Sequence, residues 1–262
     1  MNFELKTLDL KAAASHASDA LIVLVTADFK PATDAVSRLI TEARASGDLD
    51  ATPAKLLSIW RAPGLAAPRV VLVSVGEGSA RLVRQAVSAA VTTLKAVAPK
   101  KITICLPDGT QQRLQAAAQA VADASYVYTA TKPSAKAAAL SRVVLALPTT
   151  AKTQAAKDDF AHARAHVAGV ALAREWGNRP ANHATPSMLA KVAQTLGKHK
   201  RMRCQVLGPK EIEKLGMGSF AAVARGSHEP MRFIVLHYDG AAKNQAPTVL
   251  VGKGITFDTG GI

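Results

Sequence analysis

The chain has 262 residues, room for one large domain or two ordinary ones with a sizeable core. Hydrophobic residues make up 48%, which argues against disorder. The longest apolar runs, Ala20–Val25 and Val143–Leu147, are far too short to span a bilayer, so no membrane association is expected. Lys plus Arg outnumber Asp plus Glu by 33 to 19, a net charge of +14 that favours nucleic acid or acidic surfaces without specificity. The basic residues are scattered, and their densest cluster, Lys198–Arg203, contains no aromatic residue for base stacking.

The opening residues M-N-F-E-L-K-T-L-D-L alternate polar and apolar side chains and carry two acids. They lack the basic-then-apolar layout of a signal peptide, so the expected compartment is the cytoplasm. Ala20–Val25 reads as a strand, and Thr33–Ala45 as a helix with Thr33 as N-cap. Leu56–Trp60 and Arg69–Val75 read as strands, followed by an Ala-rich helix over Ala80–Val97 whose apolar positions recur at helical spacing. Lys101–Leu106 is a strand, Gln111–Asp123 a helix and Arg142–Leu147 a strand. Continuously apolar strands separated by helices imply a largely parallel sheet covered on both faces, an α/β domain over residues 1–150.

Between residues 151 and 177, Phe160, Ala163, Val167, Val170, Ala171 and Arg174 mark one long amphipathic helix, ending at Gly177-Asn178 with Pro180 just beyond. It is expected to join the first domain to a second α/β domain over residues 178–262, also with a largely parallel sheet. There Thr185-Pro186 opens a helix that Gly197 closes. Strands are expected at Cys204–Leu207, Met231–Tyr238 and Thr248–Val251, with a short helix at Lys210–Leu215. Because the sequence stops after a strand and a Gly-Gly pair, this second domain is expected to be incomplete. Cys105 and Cys204 each fall in an expected strand and form no C-x-x-C, so both are read as reduced thiols.

The last residues carry the most chemistry. The strand P-T-V-L-V runs into Gly252-Lys253-Gly254, then Ile255-Thr256-Phe257-Asp258, then Thr259-Gly260-Gly261. In an open α/β sheet, strand carboxyl ends open onto the ligand crevice, so Lys253 and Asp258 would be presented there. A phosphate loop is ruled out, because Pro247 and Gly254 stand where it needs a glycine and a Ser or Thr.

The run V-G-K-G-I-T-F-D-T-G-G-I, Val251 through Ile262, resembles the signature of the leucyl aminopeptidase (cytosol aminopeptidase) family without a gap. Three upstream blocks agree in order. Arg174-Glu175-Trp176-Gly177-Asn178-Arg179-Pro180-Ala181-Asn182 resembles the family's R-x-L-x-N-x-P-[AGP]-N segment, departing at Trp176 and Gly177. Leu215–Gly218 with Val223–Ser227 resembles its L-G-M-G…V-[AG]-x-G-S block, and Arg232–Tyr238 its next strand. The first 150 residues agree in architecture alone.

This resemblance implies two divalent metals about 3.5–4 Å apart, Mn²⁺ ahead of Zn²⁺ or Mg²⁺, which activate a water against the amino-terminal bond of a peptide with a free α-amine. Lys253 would ligate one metal and Asp258 would bridge both. The residue chemistry supports the pairing. Only a neutral amine binds a metal, and deprotonating an unperturbed lysine at pH 7 costs about 4.6 kcal/mol, which a neighbouring dication offsets. The carboxylate is an ordinary hard ligand. The other ligands, two aspartates and a glutamate, and the catalytic lysine and arginine would lie downstream of Ile262. No catalytic residue is therefore expected within these 262 residues, which are read as a truncated chain inactive alone. A homohexamer is a further implication of the family.

Other patterns are weaker. His162 and His166 stand four apart on the long helix, but Ala163-Arg164-Ala165 lies between them where H-E-x-x-H needs its glutamate, so a solvated face is preferred. Gly76-Glu77-Gly78 has Arg81 in place of a third glycine and reads as a strand–helix turn rather than a dinucleotide loop. Trp60 and Trp176 are read as packing residues. The alternative function is DNA binding, a second role of some bacterial members of this family, or a non-catalytic assembly role.

Overall fold

A computed structural model describes residues 1–151 and 153–257. The chain divides into two compact units, Met1–Glu175 and Trp176–Ile262.

The first unit runs β1 (Asn2–Thr7), α1 (Leu10–Ser15), β2 (Ala20–Thr26), α2 (Ala35–Ala45), β3 (Leu56–Trp60), β4 (Arg69–Gly76), α3 (Ala80–Leu94), β5 (Lys101–Cys105), α4 (Gln111–Ser125) and β6 (Arg142–Leu147), then enters α5 (Gln154–Gly177). Its six strands stand in the order β1-β6-β5-β2-β4-β3. Every pairing is parallel except β3 with β4. The expected α/β class with a mostly parallel sheet is what this unit adopts.

The alternation of β2 explains the layering. Leu21, Val23 and Val25 pack with Val36 and Ile40 of α2, while Ile22 and Leu24 pack on the opposite face with α3 and α4. Successive strand side chains point to opposite faces, so a sheet covered twice needs apolar residues at every position. Helix α5 adds Ala156, Phe160, Ala163 and Val167 to the α3–α4 side. Beyond Val167 its stripe leaves the core: Val170 and Arg174 are half-buried and Ala171 is exposed.

Two local expectations change, and one stretch that the sequence leaves unassigned gains a structure. The N-cap of α2 is Asp34, whose carboxylate accepts from the Ser37 amide at 2.9 Å and the Ser37 hydroxyl at 2.6 Å. Thr33, one residue too early, is exposed. The alternating amino terminus is a strand, β1, paired with β6 from Asn2↔Arg142 to Thr7↔Leu147. Helix α3 ends at Leu94, and Lys95–Val97 tightens into a single 3₁₀ turn.

The second unit holds α6 (Pro186–Leu196), β7 (Met202–Leu207), α7 (Pro209–Lys214), α8 (Gly218–Ala224) and β8 (Phe233–Tyr238). Thr185 caps α6 by accepting from the Met188 amide, with Pro186 at the first helical position and Gly197 at the C-cap. Strands β7 and β8 form an antiparallel ribbon, Met202↔Tyr238 to Leu207↔Phe233, where a largely parallel sheet is expected from the sequence. Among the described residues of this unit only Ala184, Ala190, Ala193 and Ile212 are buried apolar side chains. Thr248–Val251 is not a strand: it pairs with no segment among the described residues, and Leu250 and Val251 are each 92% exposed. A β-branched run becomes a strand only where a neighbour takes its backbone hydrogen bonds.

Candidate metal centre

Lys253 lies in irregular backbone between Gly252 and Gly254, and a side chain added at either glycine would meet nothing within 4 Å. The lysine is exposed. Asp258, the second expected ligand, lies outside the described residues. Among the described residues no three His, Cys, Asp or Glu side chains gather as a metal cage. Lys253 therefore presents an accessible amine, a donor type that suits a metal once neutral, with no cage around it among the described residues.

The other candidates resolve differently. His162 and His166 are exposed on α5. His237 sits 2.8 Å from the Asp239 carboxylate, which Arg203 also reaches at 3.1 Å, a surface cluster at the end of the β7–β8 ribbon. Gly76-Glu77-Gly78 is a strand–helix turn. Gly76 and Gly78 adopt φ of 55° and 73°, the left-handed region that only glycine enters freely. Across that turn Arg113 of α4 donates from Nε to the Gly78 carbonyl at 2.5 Å and pairs with Asp108. The carboxyl ends of β4 and β5, where a nucleotide would sit in such a sheet, are thus bridged by the chain's own arginine. Cys105 is buried, and burial pushes its thiol up to about 12; Cys204 is also free.

One grouping escapes sequence reasoning. Asp123 at the end of α4 accepts from Arg84 of α3 at 3.0 Å, from Gln119 at 2.6 Å and from Arg174 of α5. Burial alone would raise this carboxyl, but the hydrogen bonds from Arg174 and Gln119, with the charges of Arg174 and Arg84, outweigh it and hold it below the usual range. Arg174 also stacks 5.1 Å from the Tyr126 ring, and the Tyr126 hydroxyl reaches Glu175 at 3.2 Å. The first two residues of the block Arg174–Asn182 therefore tie α5 to α3 and α4. Only their spacing from an acid 51 positions earlier could have signalled this, and sequence spacing carries no such information. The aromatic readings shift too. Trp176 lies under the Arg179 guanidinium at 4.0 Å. Trp60, read as a packing residue, is 54% exposed and sits 3.8 Å beneath Arg69.

A cavity of about 260 Å³ lies between the carboxyl ends of α3 and α4, walled by Val91, Leu94, Ile102 and Leu140. Its lining is almost wholly apolar and converges no set of polar groups for chemistry. Among the described residues no helix is long and apolar enough to cross a membrane.

Two family models match the chain. Residues 171–262 match the catalytic domain of the cytosol aminopeptidase family, and residues 21–135 match its N-terminal domain. This chain belongs to the cytosol aminopeptidase family. The likeness extends over residues 21–135, a stretch that carries none of the family blocks. A probable cytosol aminopeptidase of Albidiferax ferrireducens is 52% identical over 263 residues, covering 100% of this chain and 54% of that relative. The chain thus spans about half the length of the curated relatives it matches. Among solved structures, a tomato leucine aminopeptidase variant superposes with a TM-score of 0.75 at 22% identity, over 99% of this chain and 55% of the other. The bottromycin maturation enzyme BotP in complex with Mn gives 0.65 at 24% identity, over 85% and 46%. Both likenesses concern the fold.

Proposed function

We propose that this cytosol aminopeptidase family member releases amino-terminal residues from peptides with two divalent ions, for which Lys253 and Asp258 each supply a donor. The observation that carries the reading is the unbroken V-G-K-G-I-T-F-D-T-G-G-I run inside the region matched by the catalytic-domain model. The Lys253 amine is exposed and makes no hydrogen bond or ion pair among the described residues, which leaves it accessible to a metal. Mn²⁺ is the first choice, with Zn²⁺ or Mg²⁺ as substitutes, because the carboxylate donors of the family are hard. When bound, such a pair supplies Lewis acidity and lowers the pKa of a coordinated water toward neutrality. Lys253 would hold an ion as a neutral amine, and Asp258 would supply carboxylate oxygens to the pair. A cytoplasmic homohexamer acting on peptides with a free amino terminus completes the proposal, supported by the family alone.

Leucine p-nitroanilide hydrolysis with Mn²⁺ tests it. In the protein at its native length, Lys253→Met and Asp258→Asn should each lower kcat/KM by more than about a hundredfold, since even outer-shell partners cost 10–100-fold. Wild-type turnover by either variant would overturn the ligand roles. The 262 residues on their own, with two of five expected ligands, should give no turnover. Measurable Mn²⁺-dependent hydrolysis by that polypeptide would refute this. A second reading, non-specific DNA binding, rests on the net charge of +14. It requires duplex binding that falls steeply with salt, and a flat salt response would end it.

A further inference from the structure

Strand β3 is the last strand of the six-stranded sheet and pairs on one side only, with β4. The flanking bonds fix which of its backbone groups face outward. The Lys55 carbonyl accepts from the Ser74 amide and the Arg61 amide donates to the Pro68 carbonyl. Hydrogen-bonded positions alternate along an antiparallel ladder, so Leu57 and Ile59 also face β4. Leu56, Ser58 and Trp60 therefore turn their N–H and C=O groups away from the sheet, where no strand among the described residues meets them.

The charged groups that meet Trp60 beside that edge are both arginines. Trp60 stands directly across from Arg69 in the ladder, and the Arg69 guanidinium lies 3.8 Å from the indole centroid. Arg61 approaches the same ring at 5.3 Å. Among the described residues neither arginine is paired with a carboxylate, and Arg69 Nε is buried without a partner. Arg61 holds φ at 49°, in the left-handed region that costs a side chain about 1–2 kcal/mol. Strain of this kind is kept where it aims a functional group.

We propose that the outer edge of β3 takes up an extended acidic segment of a partner protein as an added strand, with carboxylates seated against Arg61 and Arg69 beside Trp60. Backbone bonds from Leu56, Ser58 and Trp60 supply the pairing, and the period of two along the added strand brings alternate side chains to the arginines. A second copy of this chain fits worse. Antiparallel pairing about Ser58 sets Arg61 opposite Lys55, and both copies carry +14. Single-stranded nucleic acid also fits worse, because one face of the indole, on which a base would stack, is already covered by Arg69.

The chain has two tryptophans, so Trp176→Phe leaves Trp60 as the only indole reporter. The probe is an acetylated, amidated hexapeptide alternating Glu and Val, with a Lys–Val peptide and a short oligothymidylate as comparators. The expected result is saturable change in Trp60 emission with the acidic peptide only. Affinity should fall severalfold between 50 and 300 mM salt, as screening of exposed charges requires. Ser58→Pro removes one outward N–H and no bond to β4, a place where an edge strand tolerates proline. It should weaken binding at least tenfold with an unchanged circular dichroism spectrum, while Ser58→Ala binds as the parent does. Arg61→Gly, which suits the φ, should retain the fold and weaken binding. Unchanged binding in Ser58→Pro, equal binding of the Lys–Val peptide, tighter binding of the oligothymidylate, or dimerisation in sedimentation that Ser58→Pro abolishes would each overturn the proposal. Should Ser58→Pro fail to fold, unchanged binding in Arg61→Gly overturns it by itself.

Discussion

Asp34 and Thr33 show how a single residue decides where a helix begins. Both are good N-cap types, and both precede the apolar stripe of α2. Asp34 wins because its extended backbone, φ −74° and ψ 164°, brings the carboxylate over the Ser37 amide. Asp34→Ala should therefore cost about 1 kcal/mol of unfolding free energy, while Thr33→Ala stays within about 0.5 kcal/mol. Urea denaturation of the two variants separates them, and equal losses would return the cap to Thr33. Lys253 is the contrasting case. Its residue type and its glycine neighbours are legible in the sequence, yet its role depends on donors that no local rule positions.

At the scale of elements, Asp123 is the joint between α3, α4 and α5. Its partners differ in exposure, with Arg84 at 61% and Arg174 at 28% of their side-chain surfaces, so most of the stabilisation comes through Arg174. Asp123→Asn should cost about 1–2 kcal/mol after allowance for solvent screening. The folded carboxyl titrates below its ordinary value. As pH falls the unfolded chain takes up this proton first, so the contribution is full above about pH 4 and is lost as pH drops through the folded pKa. Wild type and Asp123→Asn should therefore converge in stability between about pH 5 and pH 2. A gap that persists at low pH would show that the joint acts through packing rather than charge. Strands β2, β4, β5 and β6 are readable because a twice-covered sheet demands unbroken apolar runs, whereas β1 alternates and β3 is half exposed. The Asp123 joint is not readable, because its members lie 39 and 51 positions apart in the chain.

Over the whole molecule, burial is unevenly shared. The first unit buries both faces of β2, β4, β5 and β6, with Ile22, Leu72, Ile104 and Leu145 at 0% exposure. The second buries four apolar side chains among its described residues, three of them alanines. Local opening free energy follows buried apolar contact. Native-state hydrogen exchange of this chain should thus find the slowest amides in β2, β4 and β5. The amides of β7 and β8 should exchange at least about a hundredfold faster, a difference of some 2.7 kcal/mol. Equal protection in the two units would contradict this.

The sequence by itself determined the α/β class, the order of most elements, the helix boundaries at Thr185 and Gly197, and the family, because hydrophobic period, capping chemistry and contiguous motifs are local properties. Only the tertiary structure decided that α5 gives its first half to the core of the first unit, that Trp60 lies exposed beneath arginines on an unpaired edge, and that Thr248–Val251 is no strand here. Each of these depends on which distant residues supply a neighbour. A strand, a buried face or an ion pair is a property of two partners, and the sequence names only one of them at a time.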